Sequence, residues 1–153
     1  MLVSETLGRE VVTTNTAETI GQVADFVIDP RSRSIVAITV NKSKHGDTVL
    51  WGAVSAFGAD AVIVSGADAL AEANEAVAAL SGKARRLVGK RVLDATGVDL
   101  GTVTDVEFDA ETGKLVTLRL TDGVAVAGQL LIGIGSYAAV VHPSHREGGL
   151  DPR

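Results

Sequence analysis

Two stretches decide the fold when laid side by side: Ile20-Gly21-Gln22-Val23-Ala24-Asp25-Phe26-Val27-Ile28-Asp29 and Leu100-Gly101-Thr102-Val103-Thr104-Asp105-Val106-Glu107-Phe108-Asp109. Both place Gly, Val and Asp at matching positions, and both close on an Asp. The likeness extends in both directions. Upstream, Leu7-Gly8-Arg9-Glu10-Val11 matches Val88-Gly89-Lys90-Arg91-Val92. Downstream, Ile35 to Val40 matches Leu115 to Leu120, and Val49 to Val64 fits Val126 to Val141, which pairs Gly58 with Gly135 and Trp51 with Gly128. The chain is an internal duplication, and homologous units fold alike.

Each copy reads as β structure. Val and Ile are frequent, the apolar runs are short, and turn residues separate them at the spacing of an all-β barrel or sandwich. The quoted strand slips phase: Val103 and Asp105 share one parity, while Val106 and Phe108 lie on the other, and Val23, Phe26 and Ile28 repeat the slip. One extra residue returns the apolar set to the core face, so a β-bulge is expected in both copies. Asp29 and Asp109 each open a turn between two strands, where a carboxylate accepts from backbone N–H groups two residues on. Gly113 suits the left-handed position of that hairpin, which Arg33 occupies in the first copy. Between the copies, Leu70, Ala73, Val77 and Leu80 recur at helical spacing, and predict an amphipathic helix from an Asp68 cap to a Gly82 stop. The expected architecture is mainly all-β: two tandem small β-barrels joined by a short amphipathic helix. The expected boundaries are a first unit over 1–66, a linker over 67–86, a second unit over 87–142, and a loose tail over 143–153.

Composition narrows the function classes. The 153 residues include 46% hydrophobic residues but only 3% aromatic ones, so the cores must be built from Val, Ile, Leu and Ala. There is no cysteine, which removes disulfides, thiolate metal sites and thiol nucleophiles. The net charge of −5, with acids outnumbering bases in the first copy, disfavours a nucleic-acid surface built of clustered Lys and Arg. Gly123 to Val141 carries no charge and approaches the ~20 apolar residues of a membrane span. Its counterpart in the first copy contains Asp47 and Asp60, so strand, turn and strand is the expected reading, with no transmembrane segment. The N-terminus lacks the basic region and apolar core of a signal peptide, and the expected location is cytoplasmic.

The ordered elements, an opening [Leu/Val]-Gly-[Arg/Lys], then Gly-x-Val-x-Asp-[Val/Phe], then an Asp-x-x-[Thr/Ser] hairpin, resemble the PRC-barrel family in both copies. The family includes the cytoplasmic domain of the photosynthetic reaction-centre H subunit and the C-terminal domain of a ribosome maturation factor. Leu50-Trp51-Gly52-Ala53-Val54 is similar to the family's proline-tryptophan-x-x-valine element, with Leu50 in place of the proline; the second copy has Gly128 where Trp51 stands. The resemblance implies an interaction or adaptor module without a shared catalytic centre or cofactor. A ribosome-associated RNA-maturation factor is an alternative it also implies.

Candidate sites follow from residue type and spacing. Leu130, Leu131, Ile132 and Ile134 concentrate apolar side chains in the second copy and form the candidate contact patch, by which the second barrel packs on the first, on another protein or on a second copy in a homodimer; Trp51 either plugs the core of the first barrel or joins that patch. Asp105, Glu107 and Asp109 alternate along one strand and supply the oxygen ligands of an alternative reading as a divalent-cation or small-ligand binder; a solvated strand face explains the same pattern. His142 and His145 have ligand spacing but no third partner nearby. No serine stands in a nucleophile elbow, and the glycines do not precede a helix as a dinucleotide fingerprint requires. A non-enzymatic protein is expected.

Overall fold

The computed structural model describes residues 1–41 and 46–143. His45, His145 and all of the tail beyond Pro143 lie outside the described residues. A short helix α1 (Val3–Thr6) leads into β1 (Glu10–Thr13), β2 (Thr19–Asp29), β3 (Ser34–Asn41), β4 (Thr48–Leu50), β5 (Val54–Phe57) and β6 (Ala61–Val64). After a helix α2 (Glu75–Ala79) the pattern recurs as β7 (Arg91–Asp94), β8 (Asp99–Phe108), β9 (Leu115–Leu120), β10 (Ala125–Ala127), β11 (Leu131–Ile134) and β12 (Ala138–Val141).

The two copies build the same sheet. One has the order β4-β3-β2-β1-β6-β5 and the other β10-β9-β8-β7-β12-β11. Neighbours are antiparallel except β1 with β6 and β7 with β12, which run parallel. A single 3-10 turn, Trp51–Ala53 or Gly128–Leu130, carries the chain from one sheet edge to the other. Each sheet coils into a barrel that hydrogen bonds do not close, since no ladder joins β4 to β5 or β10 to β11 among the described residues. The segment from Gly123 to Val141 is strand, turn and hairpin, and no described helix is long and apolar enough to cross a membrane.

The phase slips are bulges. The β2–β3 register shifts between Val23 and Asp25, and the β8–β9 register between Val103 and Asp105. At each bulge the Asp carboxylate accepts from the next N–H, Phe26 in one copy and Val106 in the other, both at 2.9 Å. The hairpin turns close alike: Arg33 N–H donates to the Asp29 carbonyl at 2.8 Å and Gly113 N–H to the Asp109 carbonyl at 2.7 Å. Arg33 takes the left-handed conformation at φ +56°, which costs a residue with a Cβ about 1–2 kcal/mol.

The linker departs from its periodicity. Helix α2 has five residues rather than the predicted run from Asp68 to Gly82, and its cap is Asn74, whose side chain accepts from Val77 N–H at 2.8 Å. The earlier residues are held extended instead. Leu70 is drawn into the core, and Ala71 pairs with Thr48 on the outer edge of β4, giving and receiving backbone bonds of 2.9 and 3.0 Å. Edge pairing and burial of Leu70 outweigh a helical propensity worth only tenths of a kcal/mol per residue. The short helix still packs: Val77 covers Val27 and Ala37 on the outer face of the first sheet.

The two barrels are not separate bodies. One continuous apolar core joins Val11, Phe26, Ile38 and Val62 of the first copy to Val92, Phe108, Leu118 and Val141 of the second. A single copy is near the lower size limit for a stable core, and fusing two halves of the interior relieves that limit.

Candidate functional site

The seam between the copies is built about a pseudo-twofold axis. Ser34 lies opposite its own counterpart Lys114 in an antiparallel bridge. On either side, Ile35 N–H donates to the Gly113 carbonyl at 2.8 Å and Leu115 N–H to the Arg33 carbonyl at 3.0 Å. These are the same bond made twice, because Ile35 corresponds to Leu115 and Arg33 to Gly113. Reciprocal contacts of this kind define an isologous interface.

Four of the five aromatic residues gather there. Phe108 of the second copy stands 5.5 Å from Phe26, 5.5 Å from Phe57 and 6.2 Å from Trp51, all of the first copy. Trp51 stacks on Phe57 at 5.5 Å. Such pairs contribute beyond the area they bury, so the scarce rings are spent where the copies meet. Trp51 itself is half-buried against the core and lines, with Phe57, Ala110 and Glu111, a recess between the two copies.

The segment that precedes each barrel crosses to the other copy. The Met1 amino group donates to the Phe108 carbonyl at 3.0 Å, Phe108 N–H returns a bond to Met1 at 2.8 Å, and Ser4 donates through both N–H and Oγ to Asp105. In the mirror position, Arg86 grips Asp25 with Nε at 2.9 Å and Nη2 at 2.7 Å. The opening Leu-Gly-Arg and Val-Gly-Lys motifs anchor these crossings. Arg9 donates to the carbonyls of Gly58 (2.6 Å) and Glu5 (2.9 Å), and Lys90 to those of Ala84 (2.7 Å) and Ser136 (3.4 Å). A cation at this position satisfies carbonyls of the last hairpin and of the crossing segment together, which explains why both copies carry one.

Between the crossing segments lies a pocket of about 240 Å³. Its floor is apolar, with Phe26, Leu87 and Val106, and its rim carries Asp25, Asp105, Ser4 and Arg86. The pocket therefore straddles the axis, with the two bulge carboxylates as counterparts. Each has its oxygens engaged, but only Asp25 has an ion-pair partner; Asp105 meets no cation in ion-pair range among the described residues. A neighbouring surface recess holds Lys90, Arg91 and Tyr137. There Arg91 pairs with Asp99 and lies 6.0 Å from the exposed Tyr137 ring. The Gly101 N–H, and then Arg91, hold the Asp99 carboxyl below its ordinary value.

The residues singled out from sequence fall differently. Leu131 and Ile134 are core residues at 0% and 6% exposure, and Leu130 packs partly buried against them. Only Ile132, at 41%, presents a large apolar side chain to solvent, so the five do not form one surface. The reason is the bulge in β11, where pairing with β12 skips from Leu131 to Gly133 and leaves Ile132 alone facing out. Asp105 is tied to Ser4 and Val106, and Asp109 Oδ1 to the N–H groups of Glu111 (2.8 Å) and Thr112 (3.2 Å). Asp105 and Glu107 share the face of β8 opposite the buried Val106 and Phe108, and no group of three His, Asp or Glu residues suited to a metal occurs among the described residues. His142 is exposed beyond β12. Sequence reasoning missed Arg86 and Ser4; their signal was the equivalence of Asp25 and Asp105, which invites a search for what faces each.

Comparison with curated proteins gives no match. The model of the PRC-barrel domain matches twice, over residues 1–70 and 82–142. These are the two sheets with their crossing segments, and the chain belongs to the PRC-barrel family, with two domains in tandem.

Proposed function

We propose that this protein is a non-catalytic protein-interaction module that binds a partner segment in the seam pocket. The observation that carries the reading is the pocket's construction from both copies: an apolar floor with a rim of fixed polar groups, the arrangement of sites that select by shape and a few charges. Asp25 and Asp105 accept backbone N–H bonds, and Arg86 and Ser4 take up their outer oxygens, which supports a holding role rather than proton transfer. Asp105 has no ion-pair partner among the described residues, and the chain carries −5 overall. The fitting partner is a segment that inserts an apolar side chain beside a Lys or Arg.

Titration of the labelled protein with short peptides that present Leu next to Lys, and next to Glu, tests this by NMR. Saturable shifts should appear at Leu7, Asp25, Val88 and Asp105 with the Lys peptide. Leu7, 45% exposed at the pocket, becomes an obstructing charge in Leu7→Glu, which should abolish the shifts without loss of the core. Asp105→Asn keeps an acceptor for Val106 N–H and should weaken binding about two- to fivefold, the worth of one exposed charge contact. Shifts that fail to saturate, or that persist unchanged in Leu7→Glu, refute the proposal.

A further inference from the structure

The pseudo-twofold seam is broken at two pairs of positions, and the breaks are complementary. The first copy carries Arg33 and Trp51 where the second carries Gly113 and Gly128. On one flank of the axis, Trp51 lies over Gly113: a Cβ there would stand 3.0 Å from Trp51 Cε2 and 3.0 Å from the Ile35 carbonyl oxygen. On the other flank, Arg33 reaches across and donates through Nε to the Leu131 carbonyl at 2.7 Å. Gly128 stands at the place equivalent to Trp51, and its own Cβ would lie 2.6 Å from Leu115, so no ring like Trp51 fits there. The adjacent Gln129 amide donates to the Leu115 carbonyl at 2.9 Å and closes the flank. On each flank the first copy supplies the large side chain and the second copy the glycine.

We infer that the seam is a coded heterotypic interface, which lets the surface of each copy accept the other copy and reject one like itself. Two first copies would set Trp51 against an arginine Cβ on both flanks. Two second copies would set glycine against glycine, with neither the ring nor the guanidinium to fill the gap. Specificity built from a clash on one side and a missing contact on the other is stronger than attraction alone. The surface that a lone barrel would offer to a second chain is thereby committed within the chain.

Both like-with-like contacts can be made inside the intact protein. Gly113→Arg sets an arginine under Trp51, and Trp51→Gly sets glycine against glycine. The double variant recreates, on the first flank, the Arg–Gly pair that the second flank already uses. The arginine backbone conformation is not the obstacle, because Arg33 holds φ +56° at the equivalent place. Thermal unfolding followed by circular dichroism should show each single variant melting about 5 °C or more below the parent. The double variant should melt above Gly113→Arg and within about 2 °C of Trp51→Gly, a coupling that a double-mutant cycle isolates. Light scattering on the parent should give a monomer. If Gly113→Arg does not fold, Gly113→Ala in the two backgrounds gives the same cycle, since the backbone strain at φ +80° cancels. Additive losses, or a parent that dimerises through an exchangeable seam, would overturn the inference.

Discussion

Phe108→Ala removes the ring on which the union of the two copies turns. Phe108 is 1% exposed and belongs to the second copy, yet its three ring neighbours, Phe26, Phe57 and Trp51, belong to the first. Truncating a buried Phe to Ala costs about 3–5 kcal/mol, combining lost transfer free energy with the cavity left behind. Three aromatic contacts place this site in the upper part of that range. For a chain of this size each kcal/mol lowers Tm by about 2–4 °C, so a loss near 4 kcal/mol lowers it by about 8–16 °C. The assay is equilibrium unfolding in urea, followed by circular dichroism and by fluorescence of Trp51, the sole tryptophan. Because the probe and the substitution sit in different copies, both signals should move together to the same lower midpoint. Tyr137→Ala, at a ring 71% exposed, is the control and should change stability by less than about 0.5 kcal/mol. A Phe108→Ala midpoint within 1 kcal/mol of the parent, or a fluorescence transition unmoved while dichroism shifts, would refute a shared core.

Three further outcomes follow from single contacts. Lys90→Met leaves the carbonyls of Ala84 and Ser136 short of a donor in a buried position and should cost about 1–3 kcal/mol in urea unfolding, while Lys90→Arg should recover most of it, as Arg9 fills the equivalent role. Asn74→Ala removes the cap of α2 and should cost about 0.5–2 kcal/mol, read as faster amide exchange at Val77 and of the Val27 and Ala37 strands beneath it. The Asp99 carboxyl should titrate below the ordinary 3.8, with the Gly101 N–H as the larger cause and Arg91 the next. Its contribution is present above the unfolded-state value and is lost as pH falls through the lower folded value. In a carbon-detected NMR titration Arg91→Gln should raise the midpoint only part of the way, since the Gly101 bond remains; a midpoint at or above 3.8 in the parent contradicts the geometry.

Much of this architecture is legible in the sequence because duplication repeats every signal. The bulge follows from the parity change between Val103 and Val106, seen again between Val23 and Phe26, and the strand reading of Gly123 to Val141 follows from its charged counterpart. The periodicity from Asp68 overstates the helix, because Leu70 and Ala73 fit a helical period equally well when one is buried in the core and the other packs against the Val77 cluster. The apolar cluster from Leu130 to Ile134 looked like surface for a related reason: alternation along β11 cannot reveal a bulge that its partner strand imposes. The seam itself was visible only as an oddity, with Arg33 at a left-handed position and Gly128 in place of Trp51. That these two departures answer each other across the axis is a fact of tertiary structure, and no spacing within either copy contains it.

The central claim is that the copies form one body through reciprocal bonds about the axis. Native-state amide exchange tests it most directly, at the Ile35 and Leu115 N–H groups that donate across the seam to Gly113 and Arg33. The account predicts that both amides exchange only through global unfolding, with the same opening free energy as Val11 and Val92 in the core strands. Exchange at Ile35 and Leu115 that is markedly faster than at those two core amides would show the copies parting while each barrel stays folded, and would contradict it.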